Sequence, residues 1–153
     1  MRVSSTTFTT DAAGDFRNSL HLQEELQEGQ TPDVSLHCPK CGARAILKDS
    51  RVIYGSFHGY VWACPNLAVC DTYVGCHRNS NKPLGALADA PTRRARGRAH
   101  RLFDSLWKSG RLTRKEAYIL LRQKMGLSER DAHIAKFNLS QCNKLCDIFM
   151  GEF

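Results

Sequence analysis

The sequence lacks a long hydrophobic run: no stretch of its 153 residues approaches the ~20 consecutive apolar residues of a membrane helix. The opening residues, MRVSSTTFTT, are polar and carry no apolar core of a secretory signal, so a cytoplasmic setting without membrane attachment is expected. There are no paired carboxylates, no phosphate-cradling glycine loop and no Ser/His/Asp set, which leaves little basis for an enzyme. Internal repeats and low-complexity tracts are also missing. The cysteine count is odd, at seven, which argues against a complete disulfide framework. In a reducing cytosol such cysteines point to thiolates that bind metal.

Acidic residues are nearly absent from one long stretch. Residues 78–130 hold fourteen Lys or Arg against Asp89, Asp104, Glu116 and Glu129. Residues 1–36 have the opposite balance, with Arg2 and Arg17 against six acids, although the whole chain carries +7. A segregated basic block suits a polyanion such as nucleic acid.

Cysteines are concentrated between Cys38 and His77. Cys38 and Cys41 form a Cys-x2-Cys knuckle, and Cys64 and Cys70 form a second pair. Two tight turns that each present two sulfurs can close a tetrahedral zinc site with four protein ligands, a structural ion with no open position for catalytic water. Cys76 and His77 follow immediately, as an alternative ligand or a contact to the ligands. Cys142 and Cys146, four apart on a helix, suit a buried stripe better than a second metal site with His133.

The pattern predicts an α+β protein. Residues 1–35 form an acidic, flexible arm with a short helix within 11–29, and residues 36–89 form a zinc ribbon and an ordered turn. Residues 90–153 form a basic region of three to four helices packed on the ribbon. Strands are expected at Ala43–Leu47, Arg51–Tyr54, Tyr60–Ala63 and Asp71–Gly75. A small ribbon has too little apolar surface to fold on its own core, so zinc supplies about 10 kcal/mol of its folding energy.

Asp89 is placed to cap a long helix, with Pro91 in its first turn and Ala95, Ala99, Leu102, Phe103, Leu106 and Trp107 on its apolar face. Thr113 and Glu116 have capping-box spacing for a second helix that ends at Gly126. Ser128 is expected to cap a short helix over 129–136, and Ser140 a last helix over 141–150.

Two resemblances follow from the order of these residues. Cys38-Pro39-x-Cys41-Gly42, an aromatic and glycine-containing segment, and then Cys64-x5-Cys70 resemble the C-terminal zinc ribbons of type IA topoisomerases, which bind single-stranded DNA. The spacing of the second pair matches that family, while Pro65-Asn66-Leu67-Ala68-Val69 departs from its content. A longer string resembles a small bacterial and phage family described as a zinc-finger-containing domain of unknown function. It comprises the first knuckle, Trp62-x-Cys64, Tyr73-Val74-Gly75-x-His77, Lys82-Pro83-Leu84-Gly85-x-Leu87-Ala88-Asp89 and Arg98-Ala99-His100-x-x-Phe103-Asp104-x-Leu106-Trp107. That resemblance implies zinc and a prokaryotic or phage origin, and no activity.

The expected function is sequence-independent binding of nucleic acid, single-stranded or duplex. Arg93, Arg94, Arg96, Arg98 and Arg101 would meet phosphates through bidentate forks. Phe57, in a glycine-flanked turn, would offer a ring to bases. Tyr54 and Tyr60 could also stack, whereas Trp62 suits the ribbon core. The alternative is a protein-interaction module, such as a phage-encoded inhibitor or modulator of a host protein complex. His77-Arg78-Asn79 invites comparison with His-metal nucleases, but no Asp-His pair leads a ββα pattern. His100 and Asp104, at i and i+4, are expected to hydrogen-bond where the helix meets the ribbon.

Overall fold

The computed structural model describes residues 35–151. The acidic arm, up to Val34, and the short helix expected within 11–29 lie outside the described residues. From Leu36 the chain doubles back at once: Cys38 N–H donates to the Ala43 carbonyl and Ala45 N–H to the Leu36 carbonyl. Gly42, with φ of 73°, makes this turn in a conformation most side chains avoid. The first strand, β1 (Ile46–Asp49), therefore starts three residues later than expected, because residues 43–45 are used in pairing with 36–38.

The segment Arg51–Tyr54, read as a strand from its β-branched content, is a single helical turn, α1. Local chemistry overrides propensity here. Asp49 Oδ1 accepts from Arg51 N–H at 2.8 Å, and Gly55 closes the turn at φ 73°. The buried Ser50 hydroxyl accepts from His58 N–H at 2.7 Å, tying the two ends of the connection together. The chain then forms β2 (Tyr60–Ala63), a one-turn helix α2 (Leu67–Cys70) and β3 (Tyr73–Gly75).

The three strands make an antiparallel meander with β2 in the middle. Register places Leu47, Trp62 and Val74 side by side on one face, and Ile46, Ala63 and Tyr73 on the other. Trp62 packs among Cys38, Ala45, Cys64, Cys70 and Leu87, and its indole N–H donates to the Asn81 carbonyl at 2.7 Å. Trp62 is thus core, as its sequence context suggested.

The helical region follows from its caps. Asp89 accepts from Thr92 N–H at the start of α3 (Ala90–Lys108). Thr113 and Glu116 complete a reciprocal capping box on α4 (Arg114–Met125), and Gly126 ends it in a left-handed conformation. The helix expected after Ser128 is a turn with one 3-10 turn at Ile134–Lys136. The last helix, α5 (Leu139–Met150), is capped by Asn138 instead of Ser140, because Asn138 and Gln141 exchange side-chain bonds at the spacing of a capping box. Ala95, Ala99, Phe103, Leu121, Ile134, Phe137, Leu145 and Phe149 form its core. No helix among the described residues is long and apolar enough to cross a membrane.

Backbone and arginine contacts join the sheet to the helices. Tyr73 and Ala88 exchange two backbone bonds of 3.2 Å, and Ala86 N–H reaches the Ala135 carbonyl at 3.2 Å. Gly85 sits so close to the 3-10 turn that a Cβ there would lie 2.2 Å from the Ala135 oxygen. Gly85→Ala is therefore expected to lower stability by about 1–3 kcal/mol, as overpacking does. Gly97, inside α3, meets only the mobile end of Arg101 at 3.6 Å, so Gly97→Ala should raise stability by about 0.5–1 kcal/mol. Chemical unfolding of the two zinc-loaded variants checks both signs.

Candidate metal centre and arginine surface

Each knuckle aims backbone N–H groups at its own first sulfur. Lys40 N–H donates to Cys38 Sγ at 3.4 Å, and Asn66 N–H to Cys64 Sγ at 3.3 Å. After Asn66 the chain turns through α2, which carries Cys70 back toward Cys64, and Asp71 leaves that turn with φ of 46°. β2 leads directly into Cys64, so the sheet delivers one knuckle to the other. The ligand atoms of Cys38, Cys41, Cys64 and Cys70 all lie within 4.8 Å of one another. Cys41 and Cys64, from different knuckles, have sulfurs 3.5 Å apart. A tetrahedral zinc with ~2.3 Å bonds needs sulfurs about 3.8 Å apart, so this donor set fits one zinc ion with every coordination place filled by a thiolate.

The electrostatics favour an anion at one sulfur before any metal enters. Burial works to raise the Cys38 thiol, but the Thr72 hydroxyl and the backbone N–H groups of Cys41 and Lys40 outweigh it and bring it from 9.0 to about 6. Burial pushes Cys64 up, and it pushes Cys70 up to about 12 with help from the neighbouring Cys41 and Cys64 thiols. Thr72 was missed in the sequence. It is wholly buried, its hydroxyl lies 3.0 Å from Cys38 Sγ, and a donor there stabilises the thiolate. The only signal available was a polar β-branched residue between the second knuckle and a short strand.

Cys76 and His77 lie outside this group. Cys76 pairs with Pro83 at the sheet edge, and His77 is exposed in the turn that follows. Cys142 is buried in the helical core and Cys146 packs against it. Among the described residues, the four knuckle cysteines are the one cluster with metal-ligand geometry.

The arginine run divides by position around α3. Arg93 stacks on the Tyr73 ring at 3.8 Å, pairs with the Asp71 carboxylate at 3.1 Å and donates to the Ala88 carbonyl. Arg96 donates to the Phe137 and Ala86 carbonyls, each at 2.7 Å, and so rivets three segments together. Arg94, Arg98 and Arg101 are exposed, at i, i+4 and i+7, on the face opposite buried Ala95, Ala99, Phe103 and Leu106. Arg98 reaches the neutral Asn143 side chain at 3.2 Å, and Arg101 makes no hydrogen bond or ion pair with any described residue. Phe57 is half exposed with Arg51 over its ring at 5.4 Å. The bonds to the ribbon expected of His100 and Asp104 do not form among the described residues, and Asp104 pairs within its own helix with Lys108 at 2.8 Å.

Removing a donor to Cys38 should weaken metal retention. Thr72→Val keeps the shape and deletes the hydroxyl, and is expected to lower zinc affinity about tenfold or more in competition with a chromophoric chelator. Zinc must displace the protons of the raised Cys64 and Cys70 thiols, so loading should release protons and retention should fall as pH falls. Cys64→Ser should lose zinc and unfold the ribbon, read by circular dichroism.

Neither the curated proteins nor the solved structures contain a match to this chain. Residues 34–152 match a family described as a zinc-finger-containing domain, and the match spans both cysteine knuckles, the turn that follows them and all three long helices. The protein belongs to that zinc-finger-containing family.

Proposed function

We propose that this protein is a zinc-stabilised nucleic-acid-binding module that holds phosphates on the outer face of α3 without reading base sequence. The observation that carries this reading is the row Arg94, Arg98 and Arg101, exposed on one face of a helix that has no acidic residue between Ala90 and Phe103. Guanidinium forks at successive turns suit phosphate oxygens along a backbone. Arg93 and Arg96 serve the fold instead, which narrows the contact set from five arginines to three. A metal site filled by four thiolates supports a binding role over a catalytic one, since no place is left for water or substrate.

Binding should weaken steeply with salt, because each neutralised phosphate releases counterions. The triple variant Arg94→Ala/Arg98→Ala/Arg101→Ala should keep its zinc and its fold, while the slope of log affinity against log salt falls by about 2–3. Arg96→Ala should instead lower stability, because it leaves two carbonyls without their donor. Affinity that is flat in salt, or fully kept by the folded triple variant, would sink the reading.

A second reading, docking onto a protein, draws on Val69, which is 85% exposed in the second knuckle. Recovery of one stoichiometric protein partner after nuclease treatment, lost with Val69→Glu, would favour it.

A further inference from the structure

Aromatic side chains gather around the connection that joins β1 to β2. Three of the four tyrosines, Tyr54, Tyr60 and Tyr73, are there with Phe57 and His58. Tyr54 meets His58 and Tyr73 edge-on at 5.9 and 6.2 Å, and Phe57 meets Tyr60 edge-on at 5.8 Å. None of these rings lies flat on another. Tyr54 and Phe57 are 54% and 50% exposed, a poor use of large rings unless something covers them. The ribbon core does not need them, since Trp62 with the cysteines fills it.

Beside Tyr54, His58 and Tyr60 lies an open cleft of about 470 Å³, lined by these three with Ser50, Val61, Gly75 and Cys76. Phe57 and Tyr73 flank this lining, Phe57 against Tyr60 and Tyr73 against Tyr54. The row runs on to Tyr73, and Arg93 stacks there directly before Arg94 in the chain. Arg93 thus links the ring surface to the first turn of α3.

We infer that this cleft receives unpaired bases, so that the protein prefers single-stranded nucleic acid to duplex. The inference rests on the nucleic-acid reading above and adds strand preference to it. A paired base has both faces covered by its neighbours in the stack, and its edges are turned to its partner. Only an unpaired base can lay its face on Tyr54 or Phe57. Such stacking accepts every base, in keeping with binding that ignores sequence. The cations beside the rings are already committed, Arg51 to Asp49 and Arg93 to Asp71, so the cleft offers stacking while the α3 arginines take the phosphates.

The test uses the zinc-loaded full chain and four labelled probes of about 15 nucleotides: oligothymidylate, oligouridylate, a mixed-sequence duplex and an abasic deoxyribose-phosphate strand. The wild type should bind either single strand more tightly than the duplex or the abasic strand. Tyr54→Ala/Phe57→Ala should weaken single-strand binding about tenfold or more and leave duplex binding within about twofold. Tyr54→Phe should keep wild-type affinity, and zinc content with circular dichroism confirms that each variant is folded. Equal binding of abasic and thymidylate strands, or an aromatic variant that binds thymidylate like the wild type while the arginine triple variant does not, overturns the base cleft and leaves the nucleic-acid reading standing. No binding of any probe by the wild type overturns both.

Discussion

Four sulfurs drawn from two turns, with more than twenty residues between the turns, define the ribbon. Six buried residues make up the apolar cluster of this half, and three of them are the ligands Cys38, Cys64 and Cys70. Without metal that centre is Ala45, Trp62 and Leu87 around a set of thiols, too little to offset the entropy of ordering the loops around it. Zinc turns the same atoms into a crosslink. The sheet inherits its position from that crosslink, since β2 runs straight into Cys64 and β3 leaves just after Thr72. The buried Thr72 hydroxyl then couples the metal shell back to the sheet through Cys38.

The second half has a conventional core and needs no metal of its own, so the joint between the halves matters most for placing surfaces. That joint is polar and specific. Ala86 and Ala135 share a backbone bond, Gly85 leaves no room for a side chain, and Arg96 spans from α3 to the Ala86 and Phe137 carbonyls. Arginine suits this role because its fork satisfies two acceptors while its stem packs on apolar surface. Arg93 does similar work at the edge of the sheet. Both belong by composition to a basic run and by contact to the scaffold.

Much of the local structure was legible because its signals are local. Cysteine spacing named the four ligands, Asp89 and the Thr113–Glu116 pair named two helix starts, and the 3.6-residue period named the buried face of α3. The misreadings share one cause. Arg51–Tyr54 looks like a strand by propensity, but Asp49, Ser50 and Gly55 bend it into a turn. Ser140 looks like a cap, yet Asn138 has the reciprocal partner at Gln141. In each case a hydrogen bond two or three residues away outweighed the intrinsic preference of the residues read.

By itself the sequence determined that there is one four-cysteine site, that basic charge is segregated onto a capped helix, and that a small sheet precedes the helices. These follow from spacing and periodicity, which act over a few residues. Only the tertiary structure decided which arginines remain available, that Thr72 touches a ligand, and that Tyr54 and Tyr60 line one cleft. Each of those depends on atoms brought together from far along the chain, as when the Phe137 carbonyl, forty-one residues from Arg96, takes up its guanidinium. Nothing in the neighbours of an arginine records which distant carbonyl will claim it.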